Sequence, residues 1–177
     1  MAISDRLPGW DKIAPVYAVI VLLIYGWTTW WFCWNVPGWI NFLNLGEILV
    51  VYAYALTTNF LESLAVLAGI LGLCLLLPRR LFLDAFVARA IALAVLGLTY
   101  MMYLSSLFVT KETYPSALLR WSPALGLLMA AGAYALGNLT RFRRAAEMFG
   151  DRAIVFLYLS IPASLISLLV VVYRAIA

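Results

Sequence analysis

The sequence predicts an all-α, polytopic integral membrane protein: five transmembrane helices in a single domain, 1–177. Three observations carry this. Of the 177 residues, 66% are apolar, and mean hydropathy is +1.01. Charged residues make up only 11%, against about 25% in an average soluble domain, too few to cover a water-borne globule of this size. The charges are also gathered between runs of roughly the 20 residues that a helix needs to cross the hydrocarbon core. The same composition excludes a disordered chain and a nucleic-acid-binding module.

The first run, 13–33, follows Arg6 and Lys12, as the core of a signal peptide would. It has no small-residue cleavage site and leads into Trp27, Trp30, Trp31 and Trp34, so it reads as a retained helix. The second run, 46–77, is too long for one simple crossing. A straight helix over it measures about 48 Å at 1.5 Å per residue, and the core is about 30 Å thick. It must tilt, project beyond the outer surface or break. Thr57-Thr58-Asn59 is the polar run at which a break would fall, and Pro37-Gly38 predicts a turn before the run begins. A continuous or mildly kinked helix whose first turns rise above the membrane is favoured over one with residues 40–54 lying along the outer interface. The third, fourth and fifth spans are read at 90–109, 119–138 and 153–173.

Basic residues set the expected orientation. Nine of the twelve fall in the N-terminal segment (Arg6, Lys12), between spans two and three (Arg79, Arg80, Arg89) and between spans four and five (Arg141, Arg143, Arg144, Arg152). The opposite side has Lys111, Arg120 and Arg174. The positive-inside rule then puts the N-terminus in the cytoplasm and the C-terminus outside. A multi-pass place in the plasma membrane is expected, the inner membrane if the source is bacterial. The net charge of +4 lies on the cytoplasmic rim, where it suits anionic lipid and not nucleic acid. Asn138-Leu139-Thr140 matches a glycosylation sequon, but on this topology it faces the cytoplasm and is a chance match.

Glu62 is the ionisable residue inside a span. An acid at that depth costs a few kcal/mol unless it is neutral, paired or wet. At 100° per residue Ala55, Thr58, Asn59, Glu62, Ala65 and Gly69 share a face, polar above and small below, which should turn toward other helices. The intramembrane polar site is therefore read as Glu62, Asn59 and Thr58. Arg120 is the expected basic partner, ahead of Lys111 and Arg174. This site either handles a proton, an ion or a headgroup, or makes a structural bond between helices.

Small residues mark packing seams: Gly126, Ala130, Ala133 and Gly137 on span four, Ala90, Ala94 and Gly97 on span three, and Ala65 and Gly69 on span two. They let backbones approach, which drives helix association in lipid. Ser160, Ser164 and Ser167 share a face of span five beside Pro162, which frees a carbonyl and bends a helix. Trp27, Trp30, Trp31 and Trp34 continue the line of Ile20 and Leu23 on span one. One explanation is an aromatic belt at headgroup level. The sharper one is a flat face for another subunit or for a bound lipid, quinone or carotenoid.

No cofactor is predicted outright. The sequence has no histidine, which removes the usual haem, copper and zinc ligand sets and histidine relays. Cys33 and Cys74 are expected near opposite faces of the bilayer, too far apart to pair. Five spans in a chain of this length, with an external C-terminus, resembles the membrane part of the lipid-headgroup transferases related to alkaline phosphatase. The resemblance is one of topology. It implies at most the membrane half of a split transferase, because the external nucleophile and metal ligands of that family are not found after Tyr173. Three functional expectations follow. The first is a non-catalytic accessory or scaffold subunit of a larger membrane complex, with other membrane subunits and lipids as partners. The second is a small transporter or lipid-handling protein centred on Glu62. The third is the split transferase.

Overall fold

The computed structural model of the chain describes residues 8–78, 82–111 and 116–176. Arg6, Arg79 and Arg80, which contribute to the orientation argument, lie outside these residues. The described chain is all-helical, with no strand. The helices are α1 (Trp10–Trp39), α2 (Leu45–Leu76), α3 (Phe86–Lys111), α4 (Ser116–Gly137), α5 (Thr140–Ala153) and α6 (Val155–Ile176). A 3-10 turn, Leu83–Ala85, leads into α3. Four of these, α1, α2, α3 with its leading turn, and α6, are long and apolar enough to cross a membrane. A fifth is counted when α4 is joined to α5, the two being bent by 97°. The protein is thus a polytopic helical membrane protein.

α1 is the hub. It packs against α2, α3, α5 and α6, and Val16, Ala18, Val19, Ile20 and Val21 are buried along nearly every side of its first half. Such all-round burial explains why its sequence shows no one-sided apolar stripe there: a helix enclosed by others has no polar face to display. α2 pairs with α6, and α3 with α4. α4 returns along α3 to the end where α3 begins. The Gly132 backbone lies beside Leu96, and Arg89 donates to Asn138 Oδ1 at 2.8 Å. α5 then turns across that end of the bundle, seated on α1 and α3.

Two stretches differ from the expectation. Residues 35–39 are the last turn of α1, not a turn between spans; Pro37 is carried inside the helix, and Asn35 donates back to the Trp31 carbonyl at 2.8 Å. The chain reverses afterwards, and Asn44 opens α2 with a capping box: its side chain accepts from the Glu47 amide, and the Glu47 carboxylate accepts from the Asn44 amide, both at 2.9 Å. α2 then runs through 32 residues without a break at Thr57-Thr58-Asn59. The two threonine hydroxyls donate to the carbonyls of Ala53 and Tyr54, four residues back. Polar side chains that bond along their own helix need no break to be satisfied.

The segment between spans four and five, read from the sequence as a basic loop, is the helix α5. Ala146, Gly150 and Ala153 are its buried face, while its arginines are exposed. Gly150 permits the contact with α1. A Cβ there would lie 2.9 Å from Pro15 Cβ and 3.2 Å from Ile91 Cδ1, so a larger residue would push α5 off the bundle.

Candidate functional site

Polar side chains tie α1 to its neighbours at four levels. Tyr17 and Ser63 hydroxyls lie 3.3 Å apart, and those of Tyr25 and Ser164 2.6 Å apart. Thr28 donates to Asn59 Oδ1 at 2.9 Å, and Thr29 and Tyr52 hydroxyls meet at 3.0 Å. In lipid, where the solvent offers no hydrogen bonds, such pairs fix helix rotation. Tyr17, Tyr25, Tyr52 and Ser63 were not singled out from the sequence. Each is an ordinary residue on an apolar run, and its role comes from a partner far along the chain. The serine face of the last span does pack inward: Ser160, Ser164 and Ser167 are all buried. Ser160 and Ser164 also donate to the carbonyls four residues back.

The polar face of α2 is only partly covered within the chain. The buried line is Leu56, Asn59, Ser63, Ile70 and Cys74. Asn59 is on it, 3% exposed. Thr58, Glu62, Ala65 and Gly69 are exposed, with Glu62 at the edge of a groove between helices. The reason is Ser63: bonded to Tyr17, it turns α2 so that the Glu62 side falls on the flank. Arg120 is exposed on α4 and forms no ion pair with Glu62. Among the described residues the one ion pair is Arg143–Glu147, at 3.0 Å on α5.

Glu62 lines a groove of about 290 Å³ between α1, α2 and α3, with Ile24, Trp27 and Thr28 on one wall and Leu98, Met101, Met102 and Ser105 on the other. The site thus holds a carboxylate and two hydroxyls in an otherwise apolar cleft. Thr28 connects it to Asn59, whose Nδ2 is buried and has no partner among the described residues. The arrangement suits a hydrogen-bond donor or a cation presented from the side, by a neighbouring helix or a headgroup.

The four tryptophans sit at i, i+3, i+4 and i+7, on one side of α1. Trp27 borders the Glu62 groove. Trp30, 66% exposed, borders a second and larger cleft of about 630 Å³ between α1, α2 and α6, with Tyr25, Cys33, Tyr52 and Phe156 among its walls. Trp31 stands edge-on to Trp27, ring centres 6.0 Å apart, and Trp34 is 72% exposed at the far end. α2 lies between the two clefts, on the side of α1 away from the tryptophan strip. The end of α1 is instead fastened by Phe32, whose ring lies 4.4 Å from Tyr52 and 5.5 Å from Trp39.

The span-four seam is divided. Ala133 and Gly137 are buried, whereas Gly126 and Ala130 are exposed, and nothing would meet a Cβ at Gly126 within 4 Å. Gly137 makes room for a side chain rather than a helix backbone. The Arg89 chain crosses it to reach Asn138, with its guanidinium 4.7 Å from the Tyr134 ring centre. Arg89 is 5% exposed, a buried cation held by an amide and a ring. The sequon asparagine is therefore a structural acceptor.

These features define a polytopic helical membrane protein with a carboxylate in a groove on one flank. The chain matches no family model, no curated protein and no solved structure.

Proposed function

We propose that this chain is a non-catalytic accessory subunit of a larger membrane complex, and that the Glu62 groove is where a partner's transmembrane helix docks. The observation that carries the reading is Glu62 itself. It opens to the side of α2, has no ion pair among the described residues, and sits above Ala65 and Gly69, both exposed. A lipid-facing carboxylate is costly unless something satisfies it, and small residues below it let a partner backbone come close. A basic or amide side chain on that partner would complete the site. Exposed Gly126 and Ala130 on α4 offer a further seam for the same assembly. The distribution of arginine supports a cytoplasmic N-terminus in the plasma membrane as part of this reading.

The test is gentle detergent extraction and mass measurement of the intact assembly. A stoichiometric partner is expected, with Gly69→Leu releasing it and Glu62→Gln weakening it. A wild-type chain that emerges alone, as monomer or homodimer, would overturn the reading. A second reading rests on the two hydroxyls, Thr28 and Ser105, that share the groove with the carboxylate: a lipid-handling site for an ammonium headgroup. Under that reading Glu62→Gln loses a co-purifying lipid and leaves protein content unchanged.

A further inference from the structure

At the opposite end of the bundle, α3, α4 and α5 enclose a cleft of about 440 Å³ whose walls include Ile91, Val95, Leu136, Phe142, Ala145 and Phe149. It is almost wholly apolar, yet its outer edge is basic. At 100° per residue Arg141 and Arg152 fall within about 20° of each other on α5, next to Ala145 on the cleft. Both are exposed, and neither belongs to the ion pair on α5, which is Arg143–Glu147. Glu147 and Asp151 lie around the helix from this edge, nearer Arg143 and Arg144. α5 itself crosses the bundle end at 97° to α4, the attitude of a helix lying in the headgroup layer.

We propose that this cleft is a binding site for one anionic phospholipid. One acyl chain lies against Val95, Phe142 and Phe149, and the phosphate lies along the Arg141–Arg152 edge of α5. Charge complementarity selects the occupant. A zwitterionic lipid would fill the apolar part equally well but would leave two guanidiniums without an anion, whereas basic pockets between helices at this depth favour acidic headgroups. The site is independent of the Glu62 groove, which opens on another flank, so either can fail without the other.

The probe is dioleoylphosphatidylglycerol against dioleoylphosphatidylcholine, titrated into the purified full chain in mild detergent and read by native mass spectrometry. The expected preference for the anionic lipid is on the order of tenfold. R141Q/R152Q should abolish it. R143Q/R144Q removes the same charge from the sides of α5 away from this edge and should leave most of it. Ala145→Trp, which fills the cleft, should lower binding of both lipids. Equal loss in the two double variants would mean diffuse attraction to a basic rim and overturn the site. Equal binding of the two lipids by the wild-type chain would overturn it as well, and so would Ala145→Trp without effect. The melting temperature of each variant without lipid shows that it is folded.

Discussion

Asn59 carries both an amide donor and an acceptor into the bundle, and Thr28 satisfies only the acceptor. Thr28→Val should therefore cost roughly 1–3 kcal/mol, the range for leaving a buried polar group unsatisfied. Asn59→Leu, which removes the amide together with its bond, should cost less. Reversible unfolding in mixed micelles ranks the two, and the opposite order would mean that Nδ2 is bonded in the native assembly. Tyr25→Phe removes only the bond to Ser164 and should cost about 0.6 kcal/mol, the average for interhelical bonds in a membrane. Residue identity made Asn59 and Glu62 conspicuous, because polar groups in an apolar run are expensive wherever they point. It could not say which of two neighbours on one face turns inward. That depended on Tyr17 and Ser63, a pair 46 residues apart in the chain.

The helices themselves were largely legible, since length and hydropathy set them, but the connections were not. α5 is masked in the sequence by its charge, which reads first as topology. Its apolar positions Phe142, Ala146, Phe149 and Ala153 nonetheless recur at helical spacing. The tryptophan strip on α1 is legible as helical spacing, whereas what covers exposed Trp30 and Trp34 depends on neighbours that the spacing does not name. α5 depends on Gly150 for its seat. Gly150→Ala forces a methyl group against the rigid Pro15 ring, and the expected loss is roughly 1–3 kcal/mol, as for overpacking elsewhere. A thiol at Ala146→Cys, buried in the parent, should become reactive in the same variant when α5 lifts. Unchanged melting and an unreactive thiol would show that α5 is held by its lipid-facing side instead.

For the whole molecule the arrangement makes a definite claim about sides. The turn after α1 and the end of α6 lie at one end of the bundle, and α5 lies at the other, beside the start of α1. With Cys33 and Cys74 replaced, thiols at Phe42→Cys and Tyr173→Cys should label from one face of sealed vesicles, and one at Met148→Cys from the other. Phe42 and Met148 labelling together would mean that α4 does not cross. The basic rim around α5 predicts that the Met148 face is cytoplasmic.

The central position of α1 has a consequence for how the protein is made. α1 emerges before the four helices that cover it, and its Tyr25 bonds to Ser164, 139 residues later. At a synthesis rate of about 5–20 residues per second, α1 waits on the order of ten to thirty seconds in the bilayer with that hydroxyl facing lipid or an insertion chaperone. Nascent chains stalled before Ser164 should consequently cross-link from Tyr25 to the insertion machinery, and chains released after it should not.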